Sequence, residues 1–224
     1  MDLLRPRPGI RPVVPPLAPP GAWTRAERAI LRRLSTPARI QDFLDTLRYR
    51  PEDEPGCPRR VLEERCANCY DGAILAAAAL RELGHPPLLL DLWAVRDDDH
   101  VLAVYRVDGL LGAVAKSNFV GLRFREPVYR TLRELVLSYF EQYFNASGEK
   151  TLRGFSPLLD LRRFDRYDWT FRDEPLRYVS DRLDAMPHQR LLSTAAERRL
   201  SPVDPRSREA GMLGTAPEGL YKGA

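Results

Sequence analysis

The sequence contains no long hydrophobic run. Its first 21 residues, MDLLRPRPGIRPVVPPLAPPG, are interrupted by proline every few positions. Such a segment provides neither the continuous apolar core of a signal peptide nor a membrane helix. No later segment reaches the length of a membrane span. We therefore expect a cytoplasmic protein that makes no membrane contact and keeps its thiols reduced.

An excess of charge of one sign is also lacking. Lys and Arg number 35 against 31 Asp and Glu, which gives a net charge of +4, and there is no extended basic tract. This balance argues against nucleic acid as a partner. The 224 residues suffice for one domain with a substantial core.

Proline content and apolar periodicity divide the chain into three parts. Residues 1–21 are Pro-rich, and because proline fixes φ and removes a hydrogen-bond donor, we predict a disordered segment there. Residues 22–200 carry the periodic apolar patterns of a folded domain. Residues 201–224 lack such patterns, which predicts a disordered tail.

Helical patterns open the folded part. They predict helices over residues 24–34 and 37–47, the second with Thr36 as its N-cap. An Ala-rich helix is predicted over residues 69–83, and Gly84 is well placed to end it in a left-handed conformation. The sequence thus begins with helices before any strand pattern appears.

Strand patterns follow over residues 88–95 and 100–107. Asp108-Gly109 predicts a short hairpin that returns through LLGAVAKS. Pro127 is then predicted to open a long helix with a core-facing aromatic stripe. This order predicts an α+β fold in which the Ala-rich helix packs on a small antiparallel sheet with flanking helices.

Three cysteines are present, and they allow four interpretations. Structural zinc needs four ligands, so Cys57 and a histidine would have to complete the pair Cys66 and Cys69. A thioredoxin-like redox pair follows a buried strand, whereas the charged stretch RRVLEER precedes this one. The pair could also be small buried thiols that pack like apolar side chains. The fourth interpretation is a nucleophilic Cys69.

Cys69 lies at the predicted N-terminus of the Ala-rich helix, with Asn68 as a suitable cap. Unpaired N–H groups and the helix dipole favour a thiolate at that position, although Asp71 opposes ionisation unless it is paired. A nucleophilic thiol also needs a base. His85 is at the far end of the same helix, about 20 Å away at 1.5 Å per residue, and His188 is close to the tail.

His100 is the remaining candidate base, and it begins the second predicted strand. If the Asp-Gly turn has two residues, pairing outward brings His100 opposite Ser117, and a bulge shifts the partner to Lys116 or Asn118. Lys116 would repel an imidazolium. We therefore predict that Asn118 or Ser117 orients the imidazole, as an amide does in Cys-His-Asn sites.

The order of these features resembles the transglutaminase-like superfamily, whose core is a papain-like cysteine-enzyme fold. The matching segments are CYDGAILAAAALRELGHPPLLLDL and DDDHVLAVYRVDGLLGAVAKSNF. The later segments GLRFREPVYRTLRELVLSYFEQYFN and GEKTLRGFS are similar to an uncharacterised bacterial subgroup, so the resemblance extends over residues 57–170. By position it implies Cys69 as nucleophile and His100 as base. The superfamily usually has an Asp after a Trp in the return strand. This chain has neither residue there, and Asn118 or Ser117 would have to take the place of the Asp.

The resemblance implies thiol chemistry on an amide. His100 would take the Cys69 proton, and the thiolate would attack a carboxamide or peptide carbonyl of a peptide or protein. The thioester would pass to water, as in a protease or amidase, or to an amine, as in acyl transfer. No metal or organic cofactor is implied. The alternative is a non-catalytic module that keeps the fold to bind a peptide or protein, and the sequence leaves the oligomeric state open.

Overall fold

The computed structural model describes residues 3–4, 13–51 and 54–221. Within these ranges helices pack on an antiparallel sheet, which is the α+β architecture predicted from the order of elements. The α-helices described are α1 (Arg25–Arg33), α2 (Pro37–Asp45), α3 (Pro58–Glu64), α4 (Cys69–Glu82), α5 (Leu132–Leu137), α6 (Glu174–Asp184), α7 (Thr194–Glu197) and α8 (Pro205–Gly211). The strands described are β1 (Leu3–Leu4), β2 (Arg48–Tyr49), β3 (Cys66–Ala67), β4 (Leu88–Ala94), β5 (His100–Val107), β6 (Leu110–Val114), β7 (Arg125–Tyr129), β8 (Leu152–Phe155), β9 (Leu159–Asp160) and β10 (His188–Arg190). Short 3-10 segments lie at Val120–Leu122, Phe140–Gln142, Leu161–Tyr167 and Pro217–Gly219.

One large sheet organises these elements. Its strands follow the order β1-β10-β8-β4-β5-β6-β7, and β9 pairs with β4 as well. The pairings described for this sheet are all antiparallel. β2 and β3 form a separate parallel pair in which Arg48 is opposite Cys66. Because β4 and β5 are central strands, the turn that connects them lies at the edge of the sheet formed by the strand ends, near its middle.

α4 and α5 lie against opposite faces of the sheet. Along β5, Val101 and Ala103 belong to the core formed with α4, whereas Leu102 and Val104 belong to the core formed with α5. This alternation is the ordinary two-residue period of a strand. His100, the first residue of β5, has the same parity as the residues that face α5.

α4 is buried almost all round, because its side chains are small. Ten successive residues, Asp71–Leu80, are buried. At Gly72 the neighbouring chain comes so close that an added Cβ would lie 2.3 Å from the Cβ of Lys116. The Ala-rich composition therefore allows a helix to pass through the middle of the domain and holds its first residue in a fixed position.

Several local predictions are confirmed. Thr36 caps α2 by accepting a hydrogen bond from the backbone N–H of Arg39 at 3.2 Å. Gly84 follows α4 with φ +90°, the left-handed conformation that favours glycine. The hairpin pairs Val107 with Leu110, as the two-residue turn predicts.

The long helix predicted from Pro127 is wrong. Pro127 instead lies in β7, which is the last strand in the order of the sheet, and an edge strand tolerates the missing N–H of proline. The helix begins only at Leu132, after Thr131, whose side chain accepts from the N–H of Glu134 at 3.1 Å. The aromatic stripe is buried as predicted, with Tyr139 and its neighbours packed under the sheet.

The tail predicted to be disordered from residue 201 contains α8 and a short 3-10 segment within its described residues. Val203 is buried, and Asp204 caps α8 by accepting from the N–H of Ser207 at 3.0 Å. Beyond α8 the chain continues through Pro217–Gly219. The prediction failed because these residues are held by caps and polar contacts rather than by a periodic apolar stripe.

Of the predicted disordered N-terminal segment 1–21, residues 1–2 and 5–12 lie outside the described residues. Leu3–Leu4 pair with β10, and residues 13–21 contain neither helix nor strand. The N–H of Ala18 donates to the carbonyl of Arg166 at 3.2 Å, so this part lies along the domain. Across the described residues, the longest apolar helices fall short of what a bilayer crossing requires.

Candidate active site

The first residue of α4 carries the candidate nucleophile. Asn68 caps the helix by accepting from the N–H of Asp71 at 2.9 Å, which leaves Cys69 at the N1 position. Cys69 is half-buried, and its thiol donates to the carbonyl of Asp99 at a distance of 3.8 Å. Burial raises the pKa of this thiol to about 12, while the nearby backbone N–H of Val101 acts to lower it. The sulfur thus lies against the backbone on both sides of His100.

Asp71, the residue that could oppose ionisation of the thiol, is turned away and paired. One carboxylate oxygen accepts from the N–H of Gly56 at 2.7 Å, and the other lies 3.4 Å from the guanidinium of Arg50. Burial raises the pKa of Asp71 to about 6, and the same carboxylate contributes to the raised pKa of Cys69. Although it is paired with Gly56 and Arg50, the Asp71 carboxylate therefore still opposes ionisation of the thiol.

His100 is buried, with 5% of its surface exposed. Its Nε2 lies 2.8 Å from the carbonyl oxygen of Leu122, and burial lowers its pKa to about 4. A neutral imidazole has one donor and one acceptor nitrogen, and a carbonyl only accepts. Nε2 therefore carries the proton, and Nδ1 is the basic nitrogen.

Cys69 and His100 line one small cavity of about 40 Å³, which has room for only a few water molecules. The two residues come from opposite faces of the sheet, and both reach the cavity because His100 is the first residue of its strand. The thiol proton is directed to Asp99 and not to the imidazole. The remaining residues that line the cavity are Tyr49, Asp97, Asp98, Asp99, Ser117, Asn118, Phe119, Leu122, Tyr143, Phe144, Gly219 and Tyr221.

Asn118 and Ser117 also line this cavity, but, contrary to the prediction, their hydrogen bonds go to other groups than the imidazole. The Asn118 side chain donates to the carbonyl of Ala216 at 2.9 Å and accepts from the N–H of Ala216 at 2.8 Å. The Ser117 hydroxyl accepts from the N–H of Phe119 at 3.0 Å. The group that orients His100 is a backbone carbonyl.

The predicted register brought Ser117 opposite His100, and the ladder ends before it reaches them. The last pair is Ala103 with Val114, after which the side-chain amide of Gln41 bonds both the N–H and the carbonyl of Ala115. Lys116 leaves the sheet and donates to the carbonyls at the end of α2. The turn was predicted correctly, and the end of the strand was not.

Sequence reasoning missed three residues that line the cavity. Tyr49, from β2, lines the cavity beside Cys69, and its pKa is raised mainly by burial and further by the nearby Cys69. Gly219 and Tyr221 come from the C-terminal tail. No sequence motif indicates these positions, because they reach the cavity only through the tertiary fold.

The other two cysteines are separate from this cavity. Cys57 is buried at the N-cap of α3, and Cys66 is buried in β3. Among the described residues, no group of three or more His, Cys, Asp or Glu side chains is arranged to hold a metal ion. The pair Cys66 and Cys69 therefore has no further ligands around it within that part of the chain.

No protein-family model matches this chain, and no curated protein matches it.

Proposed function

We propose that this chain is a cysteine enzyme of the transglutaminase-like type, with a papain-like core, that attacks an amide or peptide carbonyl. The observation that supports this most directly is that Cys69 and His100 share one cavity, with Nδ1 as the basic nitrogen of the ring. A nucleophile at a helix start and a base on a neighbouring strand are what thiol catalysis requires. No metal or organic cofactor is needed for this chemistry.

The reaction begins when the Cys69 side chain turns from Asp99 toward the imidazole. Nδ1 of His100 takes the thiol proton, and the sulfur attacks the carbonyl carbon to give a tetrahedral intermediate. The C–N bond then breaks, and the leaving amine or ammonia takes the proton from the imidazolium. A thioester on Cys69 remains.

The thioester is resolved by a second nucleophile. Water, deprotonated by His100, gives a carboxylate and the free thiol, whereas an amine gives a new amide. The backbone N–H of Cys69 at the N1 position of α4 and the hydroxyl of Tyr49 are the donors available to an oxyanion beside the sulfur. The carbonyl of Leu122 orients the ring but stabilises an imidazolium less than a carboxylate would.

The test is the reactivity of the thiol and the release of product. In the full-length protein, iodoacetamide should label Cys69 faster than Cys57 or Cys66, and His100→Ala should lower the Cys69 rate at least tenfold. A glutamine-containing peptide with hydroxylamine should give a hydroxamate in the wild type and none in Cys69→Ser. Cys57→Ser is the matched control. Equal labelling of all three thiols would contradict the proposal.

A non-catalytic module that binds a peptide or protein on the same fold is the second candidate. It is favoured by the pKa of about 12 for Cys69 and about 4 for His100, which keep both groups neutral near pH 7. The carboxylate of Asp98 at the cavity also opposes a thiolate. On this alternative, peptide binding survives in Cys69→Ser with unchanged affinity, and no hydroxamate forms in any variant.

A further inference from the structure

The last described residues of the chain lie over the candidate site. We call residues 214–221 the terminal strap. The Thr215 hydroxyl donates to the carbonyl of Asn118 at 3.1 Å, and Ala216 makes two hydrogen bonds with the Asn118 side chain. Farther on, Gly219 packs so closely on Tyr49 that an added Cβ would lie 2.4 Å from the ring. The strap is therefore fixed at two points beside the cavity.

The contact at Asn118 recognises a peptide backbone and no particular side chain. One amide supplies a donor and an acceptor, and these match the carbonyl and the N–H of a single residue. Ala216 has an extended conformation, with φ −80° and ψ 113°, and its methyl group makes no hydrogen bond. Any extended peptide presents the same two groups, so Asn118 can bind other chains in the same way.

The strap also divides two depressions that share walls. The cavity at Cys69 is about 40 Å³, and an adjoining depression of about 320 Å³ shares Tyr49, Ser117 and Asn118 with it. Gly214 and Ala216 line the larger one, while Gly219 lines the smaller one. The strap thus lines both the cavity at the thiol and the depression beside it.

We propose that Asn118 binds the main chain of a peptide substrate, and that the terminal strap occupies that place in cis and must leave before Cys69 reacts. This inference rests on the proposed function, because that function is what makes a peptide the substrate. The strap is then an autoinhibitory segment that competes with the substrate for one backbone-binding amide.

The first experiment loosens the strap without changing the residues beneath it. Ala216→Pro removes the N–H that Asn118 accepts, and the φ of −80° suits proline. Gly219→Ala forces the strap off Tyr49, and the new Cβ would also lie 3.1 Å from Nδ2 of Asn118. In the full-length protein, Ala216→Pro should speed alkylation of Cys69 by iodoacetamide about fivefold to tenfold, which is what one hydrogen bond is worth, and Gly219→Ala should also speed it. The exposed Glu218→Ala is the control and should not differ from wild type.

The second experiment replaces the strap in trans. The synthetic peptide LGTAPEGLY, residues 213–221, should slow alkylation of Cys69 in Ala216→Pro toward the wild-type rate. The same peptide with N-methylalanine in place of its alanine should not protect. Wild-type labelling rates in both variants, or equal effects of the two peptides, would overturn the inference. If the variants label faster and the peptide protects, but no hydroxamate forms, only the proposed catalytic function fails.

Discussion

His100 is kept neutral by its surroundings, and this has a consequence for stability. Burial lowers its pKa to about 4 in the folded protein, whereas an unfolded chain has a value near 6.5. Between these values the unfolded state binds more protons than the folded state, so the free energy of unfolding falls as pH drops from about 6.5 to about 4. The loss is ~3 kcal/mol for one buried imidazole.

We predict that His100→Gln removes this dependence. Glutamine keeps a donor for the carbonyl of Leu122 and does not titrate. Urea unfolding at pH 7 and pH 4 should show the wild type losing about 3 kcal/mol more than the variant. The buried acids Asp71 and Asp97, whose pKa values are both raised by burial, act in the opposite direction and cancel in the comparison. Parallel pH curves for the two proteins would contradict the prediction.

The thiol of Cys69 gives a second prediction at this scale. With a pKa of about 12, the thiolate fraction rises about tenfold for each pH unit through pH 10, so the rate of alkylation should rise equally without levelling. In Ala216→Pro the loosened strap lets water reach the thiol, so the pKa should fall by roughly one unit, in line with the fivefold to tenfold faster alkylation, and the rate should level at a correspondingly lower pH than in the wild type. Rates that level at the same pH in both proteins would show that burial under the strap does not set the pKa.

Among the elements, α4 depends on small side chains more than on helix propensity. Replacing Gly72 by Ala gains about 1 kcal/mol of propensity in a helix interior. The new Cβ would nevertheless lie 2.3 Å from the Cβ of Lys116. Both atoms are attached directly to the backbone, so only a shift of one backbone segment away from the other can relieve this contact. We predict that Gly72→Ala destabilises the protein by about 1–3 kcal/mol, as overpacking does in other cores.

A double-mutant cycle separates the clash from other effects. Lys116→Gly removes the side chain that the new Cβ meets, so Gly72→Ala should be nearly neutral or stabilising in that background. Chemical unfolding of the four proteins gives the coupling, and a value above about 1 kcal/mol is expected for groups in contact. Additive changes would mean that α4 and Lys116 can separate at little cost.

The helix cap, the helix end and the hairpin turn were predictable from the sequence, because each is determined by interactions between residues that are close in the chain. Thr36, Gly84 and the Asp-Gly turn each satisfy backbone groups within a few residues, and each was read correctly. Pro127 was misread because proline suits both a helix start and an edge strand, and only the sheet order decides between them. The Thr-x-x-Glu pattern at Thr131 was the available signal for the true helix start.

The candidate site was predictable only where a side chain carries the chemistry. Cys69 and His100 stand out by residue type and by position at element ends, and they do reach one cavity. The carbonyl of Leu122 cannot be recognised in a sequence, because every residue has one. Asn118 was singled out for its amide, but the groups that it bonds belong to Ala216, which lies 98 residues away.

At the scale of the whole molecule, a buried hydrogen bond between two side chains joins distant parts of the chain. Nε2 of His188, in β10, lies 2.7 Å from the carboxylate of Asp91, in β4, and the two residues are 97 positions apart. Both side chains are buried, with exposed fractions of 8% and 2%. The pair therefore holds the C-terminal third of the chain to the centre of the sheet, on which the candidate site also rests.

We predict that His188→Ala lowers the free energy of unfolding by about 3–5 kcal/mol, because it leaves the Asp91 carboxylate buried without its partner. His188→Asn keeps a donor and should cost less, and Asp91→Asn in the His188→Ala background should recover part of the loss because it removes the buried charge. The measurement is urea unfolding followed by circular dichroism and by Trp fluorescence. If the pair couples the two regions, both probes report one transition in every variant. A loss below about 1 kcal/mol in His188→Ala, or a separate early transition in the wild type, would show that the C-terminal third is not bound to the sheet in this way.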